Sequence, residues 1–231
     1  QKTKNIARIL LLLSLFVSSF LFYNIYQITG SLINIQGSLV VGLLGLFLGY
    51  FYTATPLRLV SRKGIGELSI FLAFGPLLTL GTGYAISVES IELYSNSFYS
   101  LLLIGVPFGL LTTNILFINQ FPDAKSDAST GKNHLVVTFG KKASRWIYLL
   151  FLTLAFLSSF YLIETIKYSE YFNLNIFIIG NALLYIFGFT IFLKLFKNYE
   201  SRELVTSNIN TIILQTLFSF FYIIVLNLFF I

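Results

Sequence analysis

Two aspartates and an asparagine are spaced four residues apart in one polar segment of the chain: Asn119, Asp123 and Asp127. Pro122 suits the first turn of a helix, so the segment is predicted to form a short loop helix that presents all three side chains on one face. Two carboxylates at this spacing repel each other, and a divalent cation removes the repulsion. Carboxylate and amide oxygens are hard ligands that suit Mg²⁺, which usually completes its shell with waters and substrate phosphates.

Basic residues surround and follow the acidic pair: Lys125, Lys132, Lys141 and Lys142. Their charges would face the oxygens of a diphosphate bound to the metal. A solvated loop helix, with its acidic residues near the N-terminus because of the helix dipole, explains the same pattern. His134 is interpreted as a loop residue outside the mechanism, because the chain has no second histidine for a transition-metal site.

A second loop combines aromatic and basic residues, with Tyr52 near the end of an apolar stretch and Arg58, Arg62 and Lys63 after it. Aromatic residues at a span end form an interfacial belt, and basic residues there are topological anchors. That interpretation leaves Glu67 unexplained, because it begins an otherwise uncharged stretch. We expect Glu67 either to complement the N-terminus of the helix that it begins or to pair with Lys63.

The composition shows which elements must position these loops. Of 231 residues, 56% are hydrophobic and 10% charged, whereas a soluble domain has about 25% charged residues. Lipid must therefore surround most of the chain, which excludes a soluble enzyme, a secreted scaffold and a disordered chain. Cysteine is absent, which excludes disulfides and thiolate chemistry. The net charge of +6 is attributed to membrane topology, and no nucleic acid partner is expected.

Six stretches lack ionisable residues: 9–57, 68–88, 93–122, 146–163, 171–193 and 204–231. A helix needs about 20 residues to cross the hydrocarbon core of a bilayer. The first stretch is about twice that length, and polar residues and glycines interrupt it between positions 29 and 37, so it predicts a helical hairpin. The other five predict one helix each. The expected fold class is an all-α, polytopic transmembrane helical bundle of seven spans, forming one domain over residues 1–231.

The basic residues support this count. A cytoplasmic N-terminus places 14 of the 15 lysines and arginines at cytoplasmic ends of spans, as the positive-inside rule requires. Lys167 is the exception, and the outer loops carry Glu89, Glu92, Glu164 and Glu170. These residues predict a multi-pass protein of the cell membrane, with the N-terminus and both candidate site loops in the cytoplasm.

Taken together, the two loops resemble the UbiA superfamily of intramembrane prenyltransferases. The run from Asn119 to Lys132 is similar to that family's second aspartate-rich motif, NxxxDxxxD followed by GK. The run from Tyr52 to Thr82, with its GIGE and FGP sequences, resembles the branch that prenylates 1,4-dihydroxy-2-naphthoate in menaquinone synthesis. The resemblance covers residues 1 to about 145, which include the first four spans, and the last three spans match only by hydropathy.

The chain departs from the family pattern in two places. The family usually has nine helices and two aspartate-rich motifs, so the first two helices and the first motif are missing here, and the chain is expected to be N-terminally incomplete. The family's Tyr-xxx-Lys feature is not intact, because Pro56 stands four residues after Tyr52. Arg58 is the candidate for the cationic role.

The resemblance implies Mg²⁺-dependent transfer of a polyprenyl group from a polyprenyl diphosphate to an aromatic acceptor, with 1,4-dihydroxy-2-naphthoate as the first candidate. Three side chains are implied as metal ligands: Asn119, Asp123 and Asp127. Four basic side chains are implied to bind the diphosphate: Arg58, Arg62, Lys63 and Lys132. Tyr52 is implied to stabilise a carbocation and, with the two aspartates, to be catalytic.

Other acceptors within the superfamily remain open, namely 4-hydroxybenzoate, homogentisate and archaeal lipid ethers. The alternative from a different class is a small cation-coupled membrane transporter. Transporters usually place ionisable groups near the middle of the membrane, whereas the predicted span interiors here carry none. Prenyl chain length and oligomeric state are not determined by any of these residues.

Overall fold

The computed structural model describes residues 2–161, 163, 174–201 and 204–228. Glu164, Lys167 and Glu170 of the predicted outer loop lie outside these residues. Regular structure in the described part is helical, and the α-helices are α1 (Lys2–Thr29), α2 (Leu32–Thr53), α3 (Ile65–Phe74), α4 (Pro76–Ile86), α5 (Asn96–Ser129), α6 (Leu135–Ser159), α7 (Leu174–Asn198) and α8 (Leu204–Leu228). A single 3₁₀ turn, Leu59–Ser61, lies between α2 and α3.

The helices form the polytopic bundle that the composition predicts. Within the described residues, six segments are long and apolar enough to cross a membrane: Arg8–Thr29, Leu32–Thr53, Ile65–Ile86, Asn96–Ser129, Leu174–Asn198 and Leu204–Val225. The remaining predicted pass is α6, which carries Lys141, Lys142 and Arg145 near its start. The predicted hairpin is present as α1 and α2, joined at Gly30 with a φ of 60°.

The third pass differs from the prediction of a single helix, because it is broken at Gly75. The backbone there has φ −122° and ψ −105°, and a new helix starts at Pro76. Proline has no N–H to donate and its ring crowds the preceding turn, so α3 ends at Phe74. Both α3 and α4 pack against α5, and the pass bends around that contact.

The fourth pass also differs, since no separate loop helix follows it. Instead α5 runs without interruption for 34 residues and includes both Pro107 and Pro122. A proline in a helix interior removes one backbone hydrogen bond, and packing among neighbouring helices makes this tolerable in a membrane bundle. The candidate metal ligands therefore lie on the extension of a membrane-spanning helix.

The core lies among α5, α6, α7 and α8. It is built largely from aromatic rings and leucines that are almost fully inaccessible to solvent, among them Phe117, Tyr148, Leu152 and Phe218. Polar contacts cross this core: the Tyr148 hydroxyl lies 3.0 Å from the hydroxyl of Thr211. The packing anchors α5, and with it the segment that follows Pro122.

Contacts between connections show which ends of the helices lie together. At one end the Asn133 N–H donates to the Ser61 carbonyl at 3.2 Å, and Arg145 donates to the Phe196 carbonyl at 2.7 Å. At the other end the Asn34 amide donates to the Glu89 carbonyl at 2.9 Å. The two loops singled out in the sequence therefore share one end of the bundle with the end of α7.

Candidate active site

The two candidate loops are joined by Glu67. This residue lies in the first turn of α3, and its Oε1 accepts a hydrogen bond from the Leu135 N–H, 3.0 Å away, at the start of α6. Glu67 thus complements a helix N-terminus, although the sequence interpretation expected it to complement that of the helix it begins. The helix is α6 and not its own. The other interpretation is wrong, since no ion pair joins Glu67 to Lys63 in the described part of the chain.

The start of α6 is shaped by His134, which the sequence interpretation left as a loop residue without a role. Its backbone is extended, and its Nδ1 accepts a hydrogen bond from the Val137 N–H at 3.4 Å, so the ring caps the helix. The side chain is buried, with a residue exposure of 1%. The preceding Gly131 has a φ of 73°, a conformation that glycine adopts readily, and it turns the chain from α5 into this cap.

Asp127 is held by two neighbours on this turn. Its Oδ1 lies 2.7 Å from the Lys132 Nζ, and its Oδ2 lies 3.2 Å from the His134 Nε2. The side chain of Asp127 is 16% exposed. Asp127 and Lys132, expected to bind the metal and the diphosphate respectively, are brought together here as an ion pair with each other.

Asp123 and Asn119 lie one and two turns earlier on α5, at about 6 Å of rise per four residues. Both side chains are exposed. The Asn119 Oδ1 accepts a hydrogen bond from the Asn208 Nδ2 of α8 at 2.6 Å, while Asp123 has no hydrogen bond or ion pair to the described residues. The predicted common face is present, with one carboxylate free and one paired.

The donor set fits a partial Mg²⁺ site. No cluster of three or more His, Cys, Asp or Glu side chains occurs in the part of the chain that the structure describes, so an all-protein cage is not formed there. Mg²⁺ is usually held by one or two carboxylates and shared with waters and substrate phosphates. The free carboxylate of Asp123, with Asp127 on the next turn and the amide oxygen of Asn119 on the previous one, matches that requirement.

The basic residues of the other loop are disposed differently. Arg62 donates from its Nε to the Leu57 carbonyl at 2.7 Å and from its Nη2 to the Pro56 carbonyl at 3.4 Å. Its guanidinium therefore braces its own loop. Arg58 is half-buried with a φ of 43°, and Lys63 is exposed. None of the three contacts Asp123 or Asp127 within the described ranges.

Tyr52 lies in the last turn of α2, half-buried, and interacts electrostatically with Glu67. Its hydroxyl is buried and makes no hydrogen bond to the residues described. With Ser69 it lines a cavity of about 300 Å³ between α2 and α3. The facing helix α3 carries Glu67 in its first turn, a residue that sequence reasoning noted but gave no role in the site. The feature of the sequence that could have indicated a role for Glu67 is its lone carboxylate at the start of an apolar stretch.

Comparisons with known proteins give one family. A family model described as the UbiA prenyltransferase family matches residues 2–212. The UbiA prenyltransferase domain-containing protein 1 of Dictyostelium discoideum is 30% identical over 116 residues, which cover 49% of this chain and 32% of that protein. The 1,4-dihydroxy-2-naphthoate octaprenyltransferase of Escherichia coli is 32% identical over 115 residues, covering 50% of this chain and 35% of the relative.

The octaprenyltransferase of the same name from Haemophilus influenzae is 30% identical over 148 residues, covering 64% of this chain and 44% of the relative. The chain thus spans less than half the length of each of these curated relatives. No solved structure matches it significantly.

Proposed function

This chain belongs to the UbiA prenyltransferase family, and from that premise we propose that it forms part of a membrane enzyme that transfers a polyprenyl group from a polyprenyl diphosphate to an aromatic acceptor. One observation carries the proposal: α5 presents Asn119, Asp123 and Asp127 on one face, with the Asp123 carboxylate unpaired among the described residues, at the end of the bundle where both candidate loops meet. The names of relatives support 1,4-dihydroxy-2-naphthoate as the acceptor.

Asp123 and Asp127, with the amide oxygen of Asn119, would hold Mg²⁺. When bound, the metal supplies Lewis acidity to the phosphoryl oxygens of the donor. Lys132, which pairs with Asp127 at 2.7 Å, is proposed to bind the diphosphate and to offset the charge of the departing pyrophosphate. Arg58 and Lys63 add positive charge from the neighbouring loop. Arg62 is also proposed to bind the diphosphate, through the guanidinium N–H groups that do not bond to carbonyls of its own loop.

Loss of pyrophosphate leaves an allylic cation that needs electron-rich surroundings without water. The face of an aromatic ring attracts such a cation, and Tyr52 is proposed for this role because it lies in the last turn of α2, at the same end of the bundle as the aspartates. The aromatic acceptor attacks through a ring carbon, and a naphthoate acceptor would lose its carboxylate during prenylation.

The location follows from the distribution of charge. The chain is a multi-pass membrane protein with six apolar helical segments in its described part. Lys132, Arg145 and Lys197 lie at the same end of the bundle as the candidate site. We propose that this end faces the cytoplasm and that the membrane is the cell membrane.

The decisive experiment replaces each aspartate by asparagine in the complete protein. Prenylated product is measured with a polyprenyl diphosphate, 1,4-dihydroxy-2-naphthoate and increasing Mg²⁺. Both Asp123→Asn and Asp127→Asn are expected to lower turnover at least about 100-fold, on the scale of losing one electrostatic group in an active site. Near-normal Mg²⁺-dependent turnover in both variants would refute the proposal.

The structure provides a matched control. Glu200 is an exposed acidic residue at the same end, 3.5 Å from the Lys141 Nζ, and Glu200→Gln is expected to leave turnover unchanged. Because Asp123 has no partner in the described structure, a loss in Asp123→Asn cannot be attributed to a broken contact there. Parallel assays with 4-hydroxybenzoate and homogentisate test the acceptor, and faster turnover with either would overturn the naphthoate assignment alone.

A further inference from the structure

Glu67 carries a second carboxylate oxygen that the fold does not use. The residue is 2% exposed and is the only buried Asp or Glu in the part of the chain that the structure describes. Its Oε1 accepts from the Leu135 N–H, whereas its Oε2 is buried without a hydrogen-bond partner. Capping α6 requires one acceptor oxygen, and a glutamine would supply it equally well.

Burial of such an oxygen is unfavourable unless a donor meets it. A carboxylate removed from water costs far more than a neutral group, and buried charges in proteins are paired or bound to a ligand. None of the ion pairs in the described structure includes Glu67. Arg62 donates to carbonyls of its own loop, and Lys63 is exposed. No described residue donates to this oxygen, including the buried Tyr52 hydroxyl, which itself has no hydrogen-bond partner there, so the oxygen is available to a donor on a bound molecule.

Glu67 also lines a cavity between α3, α5 and α6. The cavity measures about 200 Å³ and is otherwise lined mostly by apolar or aromatic side chains, among them Leu68, Phe71, Leu110, Leu135 and Phe151. An apolar cavity of about 150 Å³ is large enough to bind benzene. The remaining polar lining residue, Thr113, donates its hydroxyl proton to the Gly109 carbonyl at 2.7 Å. The cavity thus combines space for an aromatic ring with one acceptor that lacks a donor.

We infer that this cavity binds a hydroxylated aromatic ring whose O–H donates to the Oε2 of Glu67, so that Glu67 selects the acceptor through its hydroxyl group. The inference rests on the proposed function, because a hydroxyaromatic acceptor is the substrate class concerned. Leu135 lines the cavity and follows His134, whose ring contacts Asp127. The cavity and the aspartate site therefore meet at the first residues of α6.

The charge of Glu67 also determines which part of the acceptor faces it. Like charges repel at short range, so the carboxylate of a naphthoate points away from Glu67 and a ring hydroxyl points towards it. A hydroxyl that donates to a carboxylate leaves more electron density on its ring. Such a ring attacks an electrophilic carbon more readily, which suits transfer of an allylic group to a ring carbon.

The test compares two probes of which only one can donate a hydrogen bond. Because the methoxy groups are also bulkier, the deciding measurement is the change in preference between the unsubstituted protein and Glu67→Gln. 1,4-Dihydroxy-2-naphthoate and 1,4-dimethoxy-2-naphthoate are titrated calorimetrically into the full chain in detergent, under nitrogen and without prenyl diphosphate. The unsubstituted protein is expected to bind the dihydroxy probe about tenfold more tightly, because a hydrogen bond to a charged group contributes about that much affinity. In Glu67→Gln, which retains an oxygen for Leu135, the preference is expected to fall below about twofold.

Two further variants separate recognition from folding. Leu110→Phe fills the cavity without altering Glu67 and is expected to weaken both probes equally, so it decides the question if Glu67→Gln does not fold. Glu92→Gln, an exposed acidic residue in a different connection, is the matched control and is expected to keep the preference. An unchanged preference in Glu67→Gln, or equal binding of both probes to the unsubstituted protein, overturns the inference.

The outcomes also separate this inference from the proposed function. If Asp123→Asn abolishes turnover while Glu67→Gln keeps the tenfold preference, prenyl transfer stands and the role of Glu67 fails. If the aspartate variants remain active while Glu67→Gln loses the preference, the binding site stands and the proposed metal-dependent transfer fails.

Discussion

Replacing Gly105 with alanine is expected to push α5 away from the break between α3 and α4. A Cβ built on Gly105 would lie 2.5 Å from the carbonyl carbon of Gly75 and 2.6 Å from its oxygen. One turn later, a Cβ on Gly109 would lie 2.5 Å from the Phe71 carbonyl oxygen. These neighbours are backbone atoms, so no side-chain rotation relieves the clash. Glycines at this spacing allow helix backbones to approach closely in membranes.

The size of the effect follows from these distances. Ordinary contacts of a Cβ begin at 3.4 Å, so the backbones around Gly105 must separate by about 0.9 Å. Overpacking of this kind costs about 1–3 kcal/mol, and alanine regains up to about 1 kcal/mol through its helix propensity. Gly105→Ala is therefore expected to destabilise the bundle by up to about 2 kcal/mol, which is up to a roughly 30-fold change in the folded-to-unfolded ratio.

Reversible unfolding in mixed micelles, followed by circular dichroism, measures this difference. Gly42→Ala in α2 is the matched control, because no heavy atom lies within 4 Å of a Cβ placed there. That variant is expected to be neutral or slightly stabilised. If Gly105→Ala unfolds at the same detergent composition as Gly42→Ala, the close approach of α5 to Gly75 is refuted.

Three smaller perturbations follow from individual contacts. Lys132→Ala is expected to weaken binding of the prenyl diphosphate more than binding of the acceptor, with Lys197→Ala, an exposed lysine in the last turn of α7, as control, and equal losses for both ligands would count against the proposed role. Asn34→Leu leaves the buried Ile91 N–H without its 2.9 Å acceptor, and unfolding should show a loss of about 2 kcal/mol; an unchanged midpoint would contradict this contact. Tyr148→Phe removes a 3.0 Å hydroxyl contact to α8 and should cost about 0.6 kcal/mol in the same assay, so a loss above 2 kcal/mol would mean that its packing also changed.

The passes were predictable because charge marks their ends, but the effect of proline on them was not. Pro76 and Pro122 carry the same local preference for a first helical turn. At Pro76 a new helix does begin, whereas Pro122 lies inside α5. The neighbours of Pro122, Phe121 and Ala124, are buried in the core, and this packing holds the helix together through the proline. Tertiary contacts of this kind are not visible in a local pattern.

In the candidate site, too, some features were predictable from the sequence and others were not. The common face of Asn119, Asp123 and Asp127 was predictable because it depends only on helical spacing. The contact of Glu67 with Leu135 joins residues 68 positions apart, and that of Asn119 with Asn208 joins residues 89 positions apart. Such pairs depend on how the helices pack. The role of the single histidine was missed for the same reason, since its cap and its contact with Asp127 require the turn after α5.

The unbroken course of α5 determines how far its carboxylates stand from the lipid. Its 34 residues extend about 50 Å, whereas a hydrocarbon core is about 30 Å thick. The helix therefore exceeds that thickness by about 20 Å, and no loop interrupts it below the acidic turns. Adding one residue below Asn119 would raise those turns by about 1.5 Å and rotate them by about 100°. The height of the acidic side chains along the helix axis and the direction in which they point are therefore both fixed by the number of residues before them in α5. No flexible connection lies there that could change one without the other.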